Sequence, residues 1–362
     1  MFLAIRDLRR GARRFALLGS VIALVALLST VLSGLATGLV TDGISGLRAL
    51  PFDRIAFQKG ADATFSRSTL RPDALRQFEK VPGVEASPLG ASFVNAAPVN
   101  GGPRLDLAMF GIPADSFLVQ REDARAALAG KPGLVLGEEL QKQGVKVGDR
   151  YVMGGSNVEL PVLGFTFAGT YGHAPIAFVR LDTWQRIQYG SDADGRFSAV
   201  VLSGGSRGIG EAADRTGTVV ISKEASYAGS PGFTAETTTM TLIRSFLLVI
   251  SALVIGAFFT VLTVQRTRQI GLLKAMGASN GYILRDGIGQ MAILVALATA
   301  VGVAIGTGVV EILSRGSAPV ELSPRSIATV SLALVAAGIA GSLVAFRRIT
   351  QVEPAIALGA EA

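Results

Sequence analysis

Few residues in this chain could do chemistry, and their types narrow the options quickly. There are no cysteines and a single histidine, His173. Thiol chemistry and zinc fingers are therefore excluded, and His173 cannot build a metal cluster by itself. No His-Glu-x-x-His occurs, so a hydrolytic metal site has nothing behind it. No Gly-x-x-x-x-Gly-Lys-Ser/Thr occurs either, so the chain cannot cradle ATP by a P-loop and ATP-driven work must come from a partner. The string GGSRGIG, Gly204–Gly210, has glycines spaced like a dinucleotide loop and follows a plausible strand, FSAVVLS. Only EAADRT follows before the next glycine, too little for the helix that must receive a pyrophosphate, and the string reads as a surface loop.

One further stretch is built for contact rather than catalysis. QIGLLKAMGASNGYILRD, Gln269–Asp286, sets Ile270, Leu273 and Met276 among Arg266, Arg268 and Lys274 and closes with Gly-Ala-Ser. It is too short and too polar to cross a membrane, but it can lie along one and offer a docking face to a cytoplasmic subunit.

The elements that position these residues follow from hydropathy. Across 362 residues, 49% hydrophobic content, 17% charge and a mean hydropathy of +0.48 describe a membrane protein. Four windows lack charge long enough to span: 15–41, 245–265, 287–310 and 326–346. The first is far longer than the roughly 7–15 apolar residues of a signal peptide and reads as an uncleaved span. The net charge of +7 is carried entirely by residues 1–14, the loop 266–286 and the tail 347–362, whereas 41–240 holds 20 basic and 21 acidic residues. A nucleic-acid surface is not indicated. The positive-inside rule instead places both termini and the 266–286 loop in the cytoplasm and 42–240 outside, in a multi-pass protein of the plasma membrane. Residues 1–14 pattern as an amphipathic helix on membrane lipid. Within 42–240, short runs such as GLVLG and PIAFVRL read as strands and RPDALRQFEKVPGV as a helix. The fold class is thus an α-helical membrane protein, with four transmembrane helices and an inserted α+β extracytoplasmic domain.

VQRTRQIGLLKAMGAS after the second span resembles the most recognisable element of the FtsX-like and MacB-like ABC transporter permeases. FRRITQVEPAIAL at the end is similar to that family's ending, and GLVLGEELQKQGVKVGDRY resembles its outer core. The resemblance follows nearly the whole chain in order. It implies a permease subunit without catalytic residues of its own, paired with a second copy of itself and driven by a dimeric cytoplasmic ABC ATPase. Known members export haem, macrolides, peptides or glycolipids, release lipoproteins, or control cell-wall hydrolases, and a fold alone does not choose among them.

MFLAIRDLRRGARRFALL, SGLATGLVTDGISGLRALPFDRIAF and YGHAPIAFV are most similar to the haem-exporting permeases of Gram-positive bacteria. That resemblance implies haem as the transported substrate, with no intrinsic cofactor, and places Phe52, Glu138 or its neighbour Glu139, and Tyr171 at its site. A haem-like ligand needs a flat apolar wall, an iron ligand and cations for two propionates. Phe52 would supply the wall, Glu138, Tyr171 or His173 the ligand, and Arg48 or Arg244 the cations.

Overall fold

The computed structural model describes residues 12–205, 207–265, 272, 276–316, 318–322 and 324–349. Residues 1–11, the docking residues Arg266, Arg268, Ile270, Leu273 and Lys274, and the tail beyond 349 lie outside the described residues.

Uninterrupted apolar sequence makes the long helices. α1 (Ala12–Asp42) contains a span, Phe15–Asp42, of mean hydropathy 2.5. Two further spans of this kind, Phe233–Phe258 and Gly287–Ser314, lie in the helices Phe233–Gln265 and Asn280–Ser314. The fourth expected span is a helix, Pro324–Ile349, whose apolar stretch Ile327–Gly341 is shorter than the other three. Three helices, not four, are thus long and apolar enough to cross among the described residues.

These helices approach closely where side chains are small. On the third span, a Cβ on Gly302 would stand 2.1 Å from the Ala23 carbonyl oxygen, and one on Gly306 2.9 Å from Thr30 Cβ. The Gly-x-x-x-Gly spacing thus seats that helix directly on α1. Phe15, Leu18 and Ile22 of α1 interleave there with Met291, Leu294 and Val295.

Val40–Glu236 forms the second compact unit, a mixed α/β domain. A short helix α2 (Ser45–Ala49) leads into ten strands, ordered β10 (Thr218–Ser222), β1 (Arg54–Gln58), β9 (Ala199–Gly204), β2 (Val84–Pro98), β3 (Leu105–Ile112), β8 (Ala174–Arg180), β4 (Leu134–Gly137), β6 (Glu159–Thr166) and β5 (Arg150–Met153), with the two-residue β7 (Thr170–Tyr171) on β8. β2 (Val84–Pro98) is long enough to serve two neighbourhoods. Its first half pairs β9 (Ala199–Gly204), and its second half pairs β3 (Leu105–Ile112) and then β5 (Arg150–Met153), which closes that part of the sheet on itself. Most pairs are antiparallel, but β3–β8 and β4–β6 are parallel. Both faces of the central strands are covered. Leu105, Leu107 and Met109 of β3 enter one core with Trp184, while Ala108, Phe110 and Ile112 enter another with Phe52 and Tyr171. That is period-two alternation with both sets apolar.

Candidate functional site

The hairpin between β7 and β8 has a two-residue turn, Gly172–His173, with φ of 56° and 62°. Left-handed conformation at both positions marks a type I′ turn, whose twist matches the flanking strands. Glycine accepts it freely, and histidine is among the residues that tolerate it. The turn delivers His173 to the ends of two long helices. Its Nδ1 lies 3.3 Å from Asp42 Oδ2, at the last residue of α1, and its Nε2 2.9 Å from Glu236 Oε1. Glu236 sits in the first turn of the helix Phe233–Gln265, where a negative charge suits the helix dipole. Carboxylates at both ring nitrogens require both to donate, which makes the ring an imidazolium. Partial burial works against that charge, but the hydrogen bonds and charges of Glu236 and Asp42 outweigh it and hold the pKa above its ordinary value.

The backbone around this contact is equally tied. Gly172 N–H donates to the Gly43 carbonyl at 2.8 Å, Ser230 Oγ donates to the same oxygen at 3.1 Å, and Thr170 N–H donates to Ser45 Oγ at 2.9 Å. Gly43 leaves room for the ring, since a Cβ there would lie 3.1 Å from the imidazole.

The two glutamates diverge at the start of the short helix Glu138–Lys142. Glu138 turns to the surface, where Arg121 Nη1 donates to its Oε1 at 2.6 Å. Glu139 folds inward. Its Oε1 accepts weakly from Gly169 N–H at 3.4 Å, and its buried Oε2 has no hydrogen-bond partner among the described residues. Burial, with smaller contributions from the Asp42 and Glu138 carboxylates, raises the Glu139 pKa.

The other expected site residues are spread out. Phe52 is 4% exposed in the core that holds Phe110 and Ile112, with Lys223 Nζ 5.1 Å from its ring centre. Tyr171 is buried beside Phe65, Phe93 and Phe110, and donates its hydroxyl to the Gly229 carbonyl at 3.2 Å. Burial pushes that phenol's pKa up, so it stays neutral. Arg48 is exposed at the end of α2. Arg244 lies within the second span, where Nη2 donates to Ser33 O at 3.0 Å and Thr37 Oγ1 at 3.1 Å, and Nε is buried without a partner among the described residues. It lines a cavity of about 190 Å³ with Ser29, Leu248 and Val330. Met276 is exposed. The structure therefore brings Phe52 and Tyr171 into one core and sets Glu138 and His173 at separate contacts with Arg121 and with Asp42 and Glu236. Sequence reasoning missed the acids that hold His173. The available signal was a lone histidine beside glycine between two strand-like runs, TY and APIAFV.

Residues 241–354 match the FtsX-like permease C-terminal family. Among its relatives is the Staphylococcus epidermidis protein named hemin transport system permease protein HrtB, 25% identical over 371 residues and covering 99% of each chain. An ABC transporter permease of Mycobacterium tuberculosis is 26% identical over 376 residues, again covering 99% of each chain. The extracellular domain of the ABC-type transporter YknZ from Gram-positive bacteria aligns with 47% of this chain and 98% of its own, at 13% identity and a TM-score of 0.33.

Proposed function

We propose that this subunit exports an amphipathic substrate, haem, from the membrane, using ATP hydrolysed by a separate cytoplasmic subunit. The observation that carries the reading is end-to-end similarity, over 99% of both chains, to a protein named for hemin transport. The absence of a P-loop from the sequence supports placing the ATPase on another chain and leaving this one without catalysis. In this reading the helix Pro324–Ile349 is the fourth span, both termini and the 266–286 segment are cytoplasmic, and Arg266, Arg268, Ile270, Leu273, Lys274 and Met276 meet the ATPase. The subunit works as a pair. The second span supports this, since only 11% of its apolar window is buried within the chain, leaving the rest for lipid or a second copy.

Of the two glutamates, Glu139 is the better oxygen donor, because its Oε2 has no hydrogen-bond partner among the described residues while Glu138 is held by Arg121. Titration of the purified protein in lipid nanodiscs with haemin should give a saturable Soret change that Glu139→Gln diminishes and Glu138→Gln does not. No Soret change with the wild type would remove haem as the substrate, and equal spectra for Glu138→Gln, Glu139→Gln and Tyr171→Phe would remove the site.

A further inference from the structure

The α/β domain holds a cavity of about 270 Å³, close to the lower end of small-molecule sites. Its lining differs in kind from what a haem needs. Among its lining residues no side chain is charged at neutral pH, so nothing there could pair with a propionate or phosphate, and burying an unpaired charge would cost several kcal/mol. Aromatic rings and hydroxyl or amide groups dominate instead.

Phe93 forms one wall. It is 50% exposed, unusual for a large apolar side chain, and lies nearly parallel to Tyr171 with ring centres 5.8 Å apart. Its face is thus backed and held flat. Trp184 and Tyr189, packed edge to face at 5.7 Å, also line the cavity. Several lining hydroxyls already serve the fold: Ser92 Oγ accepts from Trp184 Nε1 at 2.9 Å, and Ser68 Oγ donates to the Ser198 carbonyl at 2.6 Å. Ser92 keeps its own O–H to give. Ser66, Thr69 and Gln188 are exposed at the rim and make no side-chain hydrogen bond among the described residues. Each can donate and accept.

A flat apolar face, a ring of donor–acceptor groups and no charge match a molecule with an apolar ring face and hydroxyls around its edge. A pyranose has that form, since its axial C–H bonds make one face apolar and can lie on the electron-rich face of an aromatic ring. We infer that this cavity binds an uncharged sugar ring; of the residues considered for haem it takes in Tyr171 alone. Its place gives such binding a consequence. Gly229 and Pro231 form part of the lining just ahead of the helix Phe233–Gln265, and Tyr171 stands two residues before His173. An occupied cavity thus presses on both segments that converge at the Asp42–His173–Glu236 contact.

Trp184 is the chain's sole tryptophan and lines the cavity, so its emission reports occupancy directly. The full-length protein in nanodiscs is titrated with N-acetylglucosamine and with its β-1,4-linked dimer, beside benzoate as an anionic control and benzyl alcohol as an uncharged one without a polyol. The expected result is a saturable emission change with the sugars alone, weakened about tenfold or more in Phe93→Ala and in Gln188→Ala, both exposed positions. Tighter binding of the dimer would identify a glycan chain as the source, and equal affinity a free monosaccharide. The inference is overturned by no saturable change with either sugar, by an equal response to benzyl alcohol or benzoate, or by wild-type affinity in both variants. The readout is independent of haemin, so failure here leaves the transport reading intact, and the converse holds as well.

Discussion

His173 carries a pH dependence whose direction follows from its partners. Its pKa is raised in the folded protein, so the contact contributes fully below the ordinary imidazole value of about 6.5 and is lost as pH rises through the higher folded value. The side chain is 36% exposed, so solvent screening keeps the contribution to roughly 0.5–1 kcal/mol. Thermal unfolding in nanodiscs should show His173→Ala below wild type by about 1–4 °C at pH 5.5, with the gap closing by pH 8.5. A gap that does not change with pH would assign the residue to packing alone. Burial raises the Glu139 pKa as well, and Glu139→Gln controls for that group. The sequence made the glutamate pair visible but not its orientation, because adjacent residues at a helix start point in different directions and only the preceding strand Leu134–Gly137 sets which one turns inward. The partners of His173 were out of reach in another way. They lie 131 and 63 residues away along the chain, and no local pattern encodes that meeting.

Elements were more legible than contacts. Long uncharged runs announce helices by length alone, and the runs GLVLG and PIAFVRL announce the strands Leu134–Gly137 and Ala174–Arg180. Parallel pairing of β3 with β8 and of β4 with β6 was not legible, since a strand's own pattern carries no record of its neighbour's direction. The close seat of the third span on α1 was written in the sequence as Gly302-x-x-x-Gly306 and went unread. It is testable against a control on the same helix. Gly302→Leu would drive a side chain into the Ala23 carbonyl, whereas Gly308 has nothing within 4 Å of an added Cβ. Overpacking of this kind costs about 1–3 kcal/mol. Gly302→Leu should lower the yield and melting temperature of the detergent-purified protein by several degrees while Gly308→Leu matches wild type, as size-exclusion thermostability profiles would reveal. Equal behaviour of the two would show that the helices do not depend on this approach.

At the scale of the whole molecule, the path of the chain through the membrane decides what each end can meet. A reporter inserted at Gly101, in an open loop of the α/β domain, should be active only outside the cell, and one fused after Ala362 only inside. A tail reporter that works outside would leave three spans and remove the cytoplasmic tail from contact with any ATPase. The sheet bears on how the α/β domain withstands load. The strand that follows α1, β1 (Arg54–Gln58), lies antiparallel beside β10 (Thr218–Ser222), the strand from which the chain returns to the second span, with Arg54 opposite Ser222. Lys223 N–H donates to Asp53 O at 3.0 Å, and Asp53 Oδ2 accepts from Gly204 N–H at 2.9 Å, bracing the open end of that pair. Tension applied through residues 53 and 223 therefore acts as on a zipper, loading one rung at a time rather than all together. A seam loaded in this way opens from the Arg54–Ser222 end toward Gln58–Thr218, while β1 keeps its second ladder with β9.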